Sequence, residues 1–391
     1  MDRKLKIGIC SDAILPTVDG ISNCVDNYAA LINKNHGQAT MLTPYNPNQK
    51  DYKHKYPVYN YKSWAFFVHE QYRIGWPFKE CYRQEVRRMN FDLLHSHCPL
   101  ASSYLCKLVV EEQKLPVVLT YHTKYEIELD KRVPTKKFRK FAQNFILNNI
   151  NRADEVWVPS EGSVKSLRKI GYTGNYIVMP NGVDMPKGKA PKEDIDIVMK
   201  KHSLSNDVPI LLFVGRTMWY KNIKIIFDSL KIIKKNGFKF KLLMVGHGKE
   251  FNSIRRYCKK IGLKDDVIFT NEIKDRKLLR AYYSAADLFL FPSTFDTNGL
   301  VVREAAASLC PSILTRGSCA AEGLEDDVTA IFCDENAEDM ADKIQSVIND
   351  KATLERIGKN AFDSIYISWD DAVKMAYDRY EKICENWDYE N

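Results

Sequence analysis

Apolar and polar positions alternate along this chain in blocks that predict strands and helices in turn. Short apolar runs such as Lys6–Cys10 and Pro209–Val214 have the length of strands, and the longer blocks between such runs carry apolar residues at helical spacing. The other predicted strands are Ala39–Thr43, Phe91–His95, Val117–Thr120, Glu155–Pro159, Tyr176–Met179, Lys241–Val245, Asp266–Phe269, Leu288–Phe291 and Pro311–Leu314. This alternation indicates parallel sheets covered by helices.

A change in composition divides the alternation into two series. Residues 185–207 are rich in Pro, Lys and Asp and are predicted as a linker, with a short helical stretch near Ile195–Lys200. We therefore predict an α/β protein with two facing, doubly wound Rossmann-like domains, 1–184 and 208–365. A C-terminal helix within 366–391 is expected to pack back on the first domain. Ligands of such sheets bind outside the carboxyl ends of the strands.

Composition supports a folded chain. The 391 residues are 45% hydrophobic and 28% charged, and they include 6 Trp, 21 Tyr and 18 Phe, which argues against intrinsic disorder. No apolar run approaches the roughly 18 residues of a membrane-spanning helix. The first residues enter a strand pattern at once, so we expect no signal peptide.

The cysteine pattern argues against a structural metal or a disulfide framework. The ten cysteines show no CxxC pair and no regular spacing, and several lie inside apolar runs, so reduced thiols are expected. His95 and His97 form a His-x-His pair, but no third ligand follows at a suitable spacing. We therefore predict no metal site, and structural or acceptor-side roles for these two histidines.

Positive charge is concentrated in the first half of the chain. Residues 1–187 contain 27 Lys and Arg against 18 Asp and Glu, a net charge of +9, whereas the remainder has 31 against 32. A basic solvated face explains this excess as well as attraction to an anionic partner does. Nothing in the sequence resembles a recognition helix, an RNA-binding motif or a zinc module, so nucleic acid is not an expected partner.

One glycine and two cations follow predicted strands at places where a phosphorylated ligand would bind. Gly20 precedes a helix and would let a ligand approach backbone amides, although ordinary turns use glycine as well. Arg216 and Lys221 follow the first strand of the second domain, where two converging cations suit a diphosphate. Both cations could equally be surface residues before a helix.

The segment from Pro292 to Ala305 is the most distinctive part of the sequence. It runs from a predicted buried strand through a polar loop into a helix, with Asp296 and Glu304 eight residues apart. Gly299 lies at the expected helix start. A carboxylate at Glu304, among apolar neighbours, must face a ligand cleft or be buried at a cost in free energy.

This segment resembles the E-x7-E signature of the retaining family 4 glycosyltransferases, which have the GT-B fold. The resemblance continues through VGR at 214–216 with Lys221, PNGVD at 180–184, VGHGKE at 245–250 and YYSAADLFLFPS at 282–293. It covers nearly the whole chain. The first acid of the signature is Asp296 here rather than Glu, so its side chain is one methylene shorter.

The resemblance implies a role for each matching residue. Arg216 and Lys221 would hold the diphosphate of a nucleotide-sugar donor, and Glu304 and Asp296 would contact sugar hydroxyls. The remaining implied donor contacts are the backbone amides around Asn298, Gly299 and Leu300, Gly20 beneath the diphosphate, and His122 at the hexose near the reaction centre. Such enzymes use no cofactor beyond the UDP-sugar co-substrate, and we expect no requirement for a divalent cation.

Two features of the first half bear on the acceptor. Lys131–Lys140 contains six cations and no acid, namely Lys131, Arg132, Lys136, Lys137, Arg139 and Lys140, and it leads into the amphipathic stretch Phe138–Ile150. This pattern suits contact with an anionic membrane surface. Trp64–Tyr82 carries seven aromatic residues and could be a loop that contacts lipid or lines an acceptor site. Packing of the helix face on the core is the alternative.

TYHTKYE at 120–126, HSHCPLA at 95–101 and DTNG at 296–299 resemble the diacylglycerol glucosyltransferase branch of the family. The resemblance implies transfer of glucose or galactose from a UDP-sugar to a lipid hydroxyl by a peripheral enzyme on the cytoplasmic face of the cell membrane. A family 4 transferase of polysaccharide assembly, with a soluble or polyprenyl-linked acceptor, is the alternative enzyme. A non-enzymatic relative of the fold is the alternative from another class.

Overall fold

The structure is a computed structural model that describes residues 4–17, 19–66 and 69–387. The side chains of residues 65, 66, 69–72, 131 and 132 are outside this description. The predicted membrane contacts of Lys131 and Arg132, and the aromatic side chains of Phe66, Phe67 and Tyr72, therefore lie outside the described residues. The chain divides into two compact units, Met1–Gly182 with Trp369–Asn391, and Val183–Ser368.

Fifteen strands are described, and most of them form two parallel sheets. They are β1 (Lys6–Cys10), β2 (Gln38–Pro44), β3 (Val58–Tyr61), β4 (Ser63–Phe66), β5 (His69–Gly75), β6 (Leu93–Ser96), β7 (Val117–Thr120), β8 (Glu155–Val158), β9 (Ile177–Val178), β10 (Ile210–Val214), β11 (Lys241–Val245), β12 (Val267–Thr270), β13 (Leu288–Phe291), β14 (Ser312–Thr315) and β15 (Ile331–Cys333). The first unit has a seven-stranded sheet in the order β3-β2-β1-β6-β7-β8-β9, and the second has a six-stranded sheet in the order β12-β11-β10-β13-β14-β15.

The helices mostly connect successive strands, and the last three of them follow β15. They are α1 (Gly20–Leu31), α2 (Glu80–Arg88), α3 (Ala101–Gln113), α4 (Tyr125–Arg132), α5 (Lys136–Ile150), α6 (Glu161–Lys169), α7 (Lys192–Lys201), α8 (Ile223–Lys235), α9 (Phe251–Lys260), α10 (Arg276–Ala285), α11 (Leu300–Ala307), α12 (Ala337–Val347), α13 (Lys351–Ile365) and α14 (Trp369–Glu385). In the part of the chain that the structure describes, no helix is both long and apolar enough to cross a bilayer.

Burial of whole strands explains why the sheets are parallel and central. All five residues of β10 are buried, as are all four of β6, β7, β13 and β14. A strand that is apolar on both faces must be covered by helices on both faces, which crossover connections provide. Both units are doubly wound in this way, which confirms the predicted fold class.

Residues 185–207, which we predicted as a linker, belong to the second unit instead. The apolar residues Ile195, Val198 and Met199 lie one helical turn apart or adjacent on α7, and Val198 is fully buried in the core of this unit. His202 Nε2 lies 2.7 Å from the Tyr282 hydroxyl of α10. The high Lys, Pro and Asp content of this segment therefore does not mark a linker between the units.

The aromatic-rich segment Trp64–Tyr82, predicted as a loop, contains regular structure. Strands β4 and β5 pair antiparallel, and α2 begins at Glu80. Ring contacts continue from Trp64 to Trp76 at 4.8 Å between centroids and from Trp76 to Phe78 at 4.4 Å. Edge-on contacts among these half-exposed rings stabilise the hairpin. The polar residues of the segment interrupt the alternation of apolar and polar positions by which a strand is predicted.

Candidate active site

The switch point in the strand order of the second unit brings two loops together. Strand β10 is flanked by β11 and β13, and the chain runs in opposite directions across the sheet from this point. The loop after β10 carries Arg216 and leads to Lys221, and the loop after β13 carries Asp296. Lys221 and Asp296, which are 75 residues apart in the sequence, therefore meet at one edge of the sheet, where ligands of this fold class bind.

Lys221, which is buried, and Asp296, which is partly exposed, form an ion pair. Lys221 Nζ lies 2.5 Å from Asp296 Oδ1, and the Ser293 hydroxyl donates to Asp296 Oδ2 at 2.6 Å. Burial works to raise the pKa of the Asp296 carboxyl, but the charge and hydrogen bond of Lys221 outweigh it, and the pKa falls below its ordinary value. Arg216 adds to this lowering, although its side chain is exposed. The structure thus brings together all three of these predicted residues.

The next predicted residues form the start of α11. Gly299 precedes this helix with φ 59° and ψ 49°, a left-handed conformation that favours glycine. An added Cβ at Gly299 would lie 2.7 Å from the Ala320 Cβ. Asn298 is buried and accepts from Arg303 Nε at 3.2 Å, while its Nδ2 has no hydrogen-bond partner among the described residues. The amides that begin at Leu300 can therefore bind an anion without a competing side chain at Gly299.

Glu304 lies in the second turn of α11 and is held by two partners. Arg276 Nη2 lies 2.6 Å from Glu304 Oε1, and the Tyr283 hydroxyl donates to Glu304 Oε2 at 3.0 Å. Only 13% of the Glu304 side chain is exposed. Because a carboxylate offers about four lone-pair sites, each oxygen can still accept a hydrogen bond from a ligand hydroxyl. Arg276 and Tyr283 were not among the predicted residues: Arg276 lies outside the motifs that carry the resemblance, and Tyr283, although within the run 282–293, was given no role.

Two glycine loops pack backbone to backbone beside this site. A Cβ at Gly246 would lie 2.0 Å from the carbonyl oxygen of Gly215, and a Cβ at Gly248 would lie 2.6 Å from that of Thr217. Gly215 and Gly246 both have positive φ, at 157° and 133°. The glycines of VGR and VGHG therefore serve close contact between the loops that follow β10 and β11.

In the first unit, Gly20 begins α1. The Asp19 side chain caps this helix by accepting from Ser22 N at 2.7 Å, and the Ser22 hydroxyl accepts from Asp19 N in return. An added Cβ at Gly20 would have no described atom within 4 Å. Packing therefore does not require glycine here, whereas the approach of a ligand to the helix amides would.

His122 follows β7 and pairs with a second histidine. Its Nε2 lies 2.9 Å from His97 Nδ1, and the two rings stack at 5.2 Å. Burial lowers the pKa of His122 to about 4, although the Asp19 carboxylate works in the opposite direction. Burial also lowers the pKa values of His95 and His97 well below the usual range. The cluster is therefore uncharged at neutral pH.

His95 lies behind this pair and is held by protein groups alone. Its Nδ1 lies 2.5 Å from the Tyr380 hydroxyl of α14, and its Nε2 lies 2.7 Å from Thr120 Oγ1. Tyr28 packs edge-on against both His95 and His97. These contacts make His95 a structural residue that holds the ring of His97 from one side, at 3.9 Å between centroids.

Helix α5 carries the predicted basic segment and an exposed aromatic face. Phe138 and Phe141 are 67% and 71% exposed, and Phe145 is 39% exposed, while Ile146 and Ile150 are buried. The three phenylalanines of the helix are therefore exposed. Among the cations, Lys136, Lys137 and Lys140 are exposed, and Arg139 Nη1 lies 2.5 Å from Asp130 Oδ1.

Comparisons with known proteins agree with both units. The family model "Glycosyltransferase Family 4" matches residues 18–186, and "Glycosyl transferases group 1" matches residues 194–364. An alpha-monoglucosyldiacylglycerol synthase of Acholeplasma laidlawii is 21% identical over 97% of this chain and 96% of that protein. The protein of the same name from Streptococcus pneumoniae is 24% identical over 79% of this chain and 70% of that protein.

Solved structures match the fold over nearly the whole chain. HepE of Anabaena, crystallised with UDP and glucose, has a TM-score of 0.77 at 18% identity and covers 97% of this chain and 100% of its own. Sucrose-phosphate synthase from Thermosynechococcus elongatus has a TM-score of 0.79 at 20% identity and covers 98% and 100%. With one family model on each unit and this fold, the chain belongs to the family 4 glycosyltransferases of the GT-B fold.

Proposed function

We propose that the protein transfers a hexose, glucose or galactose, from a UDP-sugar to a hydroxyl of diacylglycerol, with retention of the anomeric configuration. The observation that carries the lipid acceptor is the exposed face of α5, where Phe138 and Phe141 stand beside exposed lysines. Aromatic side chains and cations on one helix suit the boundary between lipid head groups and acyl chains. The names of the two synthases point to the same acceptor.

The donor proposal depends on the second unit. Arg216 and Lys221 would bind the diphosphate, the Leu300 amide would donate to it, and Glu304 would accept from ribose or hexose hydroxyls. Lys221 is paired with Asp296 at 2.5 Å, so a diphosphate that takes over Lys221 leaves Asp296 able to accept from the hexose. The UDP and glucose bound to HepE support this choice of donor. The contacts of Gly20 and His122 with the donor stay predictions.

The transfer step consists of one substitution at the anomeric carbon of the sugar and one proton transfer. The acceptor hydroxyl oxygen bonds to the anomeric carbon, the bond from that carbon to the UDP oxygen breaks, and the hydroxyl proton passes to the departing phosphate. The two cations and the positive end of α11 offset the charge that develops on UDP. We therefore propose that no divalent cation is required. Loss of turnover in EDTA that Mg²⁺ restores would contradict this.

The acceptor proposal is tested with vesicles of anionic phospholipid that contain diacylglycerol. Radiolabelled UDP-glucose and UDP-galactose are offered, and products are separated by thin-layer chromatography. Replacing Phe138 and Phe141 together by Ser removes two aromatic side chains worth about 1.5–3 kcal/mol each on burial. We expect co-sedimentation with vesicles at low salt to fall at least about tenfold, along with transfer to vesicle diacylglycerol.

The matched control is Ile197→Ser, which removes an exposed apolar side chain of the second unit. Transfer to a short-chain, water-soluble diacylglycerol should persist in the Phe138/Phe141 variant, because the catalytic residues are unchanged. Undiminished vesicle binding by that variant would contradict a membrane role for α5. Transfer only to soluble or polyprenyl-linked saccharides would favour the polysaccharide-assembly alternative. A Glu304→Ala variant with unchanged activity would contradict the donor site.

A further inference from the structure

We propose that Cys24, His97 and His122 form a binding site for Zn²⁺, and that its occupation inhibits the enzyme. Helix α1 supplies the thiol, the loop after β6 supplies one imidazole, and the loop after β7 supplies the other. One ligand atom from each residue lies within 4.8 Å of the other two. The inhibitory consequence rests on the proposed function, because it requires that His122 contact the donor sugar.

The donor set has the chemistry that zinc prefers. A thiolate and two neutral imidazoles are common Zn²⁺ ligands, with bonds of about 2.3 Å to sulfur and 2.0–2.1 Å to nitrogen. At those lengths, tetrahedral ligand atoms stand roughly 3.3–3.6 Å apart. The ligand atoms lie within 4.8 Å of one another, so the cluster would contract by up to about 1 Å, and the 2.9 Å contact between the two imidazoles would open. Three protein ligands leave a fourth position for water.

The state of His97 gives an independent reason to expect a ligand. His97 is fully buried, and its Nε2 has no hydrogen-bond partner among the described residues. A buried polar atom without a partner is rare in native structures and costs free energy. Tyr28 and His95 fix the ring from two sides, at centroid distances of 5.2 and 3.9 Å. The His97 ring is thus held in place by its neighbours, while its Nε2 remains available to a ligand.

Asn181 supplies an outer partner for the thiolate. The Cys24 thiol lies 3.4 Å from Asn181 Oδ1, to which it donates its proton in the absence of a metal. When the proton leaves, rotation of the Asn181 amide would present its Nδ2 protons to the sulfur. Such outer hydrogen bonds orient metal ligands and tune their affinity. Asn181 is itself buried, so this partner is held inside the first unit.

Binding can be written with its protons balanced. Zn²⁺ forms one bond to sulfur and one to a nitrogen lone pair of each imidazole, and the proton of the Cys24 thiol goes to solvent. Zn²⁺ takes the lone pair of His97 Nε2, so the proton of that ring lies on Nδ1, and His122 keeps its proton on the nitrogen that does not bind the metal; neither ring releases a proton. One proton therefore leaves per bound ion, and no oxidant or reductant takes part. Coordination removes a His122 lone pair from any contact with the sugar.

Cobalt titration of the full-length, metal-free protein tests the site without reference to activity. We expect one Co²⁺ per chain, a thiolate-to-cobalt charge-transfer band in the near ultraviolet and the visible bands of four-coordinate Co²⁺. Cys24→Ser should lose the charge-transfer band. Cys106→Ser, which changes another buried thiol of the same unit, should keep it. Absence of the band in the unaltered protein, or its persistence in Cys24→Ser, would overturn the site.

X-ray absorption of the zinc-loaded, unaltered protein tests the site without a variant that could fail to fold. We expect one sulfur and two imidazole nitrogens around the metal. Inhibition is then measured. Micromolar Zn²⁺ should reduce sugar transfer, EDTA should restore it, and Cys24→Ser should be at least about tenfold less sensitive. Cobalt binding at Cys24 without inhibition would support the site and count against the proposed contact of His122 with the donor.

Discussion

At the residue scale, the two acids of the signature each face a cation in the folded chain. Asp296 is paired with Lys221, and Glu304 with Arg276. The pairing explains how two carboxylates remain in a largely buried site, because each negative charge has a partner within hydrogen-bond distance. Lys221 can move to a phosphate, whereas Arg276 also bonds Asp184 of the same unit and serves to orient Glu304.

Arg276→Ala should therefore weaken donor binding. Without the guanidinium, Glu304 loses its cation and its fixed orientation, so we expect the KM for the UDP-sugar to rise about tenfold, equal to about 1.4 kcal/mol, with a smaller change in kcat. Arg276→Lys should recover part of this loss. Steady-state kinetics at saturating acceptor measures both. A lower melting temperature with an unchanged KM would show that Arg276 acts on stability alone.

A second residue-scale prediction concerns Asp12, which follows β1. Its carboxylate accepts from the Ser102 backbone and hydroxyl, the latter at 2.7 Å, and burial raises its pKa from 3.8 to about 6 despite these bonds. The folded state therefore binds the proton more tightly than the unfolded state. This contribution to stability is present below about pH 4 and is lost as the pH rises from 4 through 6.

Asp12→Asn removes this pH dependence while it keeps an acceptor for Ser102. Relative to the unaltered protein, the variant should gain about 1–2 kcal/mol between pH 4 and pH 7, which is less than the full shift because the side chain is partly exposed. Melting temperatures at several pH values, with the exposed Asp51→Asn as control, measure the difference. A constant difference between variant and parent across this range would contradict the prediction.

At the scale of elements, the start of α11 depends on one glycine. Gly299 has a left-handed conformation, and its neighbour Ala320 leaves no room for a side chain. The turn at Gly299 joins the loop after β13 to α11 and places the Leu300 amide at the carboxyl edge of the sheet. Helix α5 is buried at only one end. Ile146 and Ile150 pack on the first unit, while Phe138 and Phe141 are exposed.

Gly299→Ala should reduce both stability and donor binding. The left-handed conformation costs a non-glycine residue about 1–2 kcal/mol, and the contact with Ala320 would shift the loop that holds Asn298. Gly237→Ala is the matched control, since its φ is 86° and an added Cβ has no described atom within 4 Å. Calorimetry should show lower melting temperatures for both variants, but UDP affinity should fall only for Gly299→Ala. Equal UDP affinities would contradict the role of this helix start.

At the scale of the whole molecule, the two units differ in how the chain forms them. The second unit is one continuous segment, whereas the first requires α14 from the end of the chain. Trp369, Val373 and Tyr380 of α14 are buried in the first unit, and the Tyr380 ring stacks on Trp157 at 5.3 Å. The histidine cluster therefore depends on residues more than 250 positions away.

Tyr380→Ala should destabilise the first unit selectively. Loss of a buried aromatic side chain costs about 3–5 kcal/mol, and the His95 Nδ1 would lose its partner. Met375→Ala on the same helix changes an exposed side chain and serves as control. Calorimetry should show a lower transition for the first unit and an unchanged transition for the second. A shift of the second transition instead would contradict the assignment of α14.

The sequence by itself determined the two parallel sheets and the family, because strand burial and signature spacing are local properties of the chain. From the same spacing, it predicted Arg216, Lys221, Asp296 and Glu304 as site residues. It missed α7 as part of the second unit and the β4–β5 hairpin, since apolar residues there are few or are aromatic rings that stabilise each other. Both depend on neighbours that a local pattern does not contain.

Only the tertiary structure decided which partners meet. Arg276 reaches Glu304 from 28 residues away, and Cys24 joins His97 and His122 from 73 and 98 residues away. The sequence offered no third ligand at a suitable spacing from His95 and His97. Ligands that different crossover connections bring together have no characteristic spacing along the chain. The carboxyl edge of a parallel sheet collects such residues, and the strand order determines which of them become neighbours.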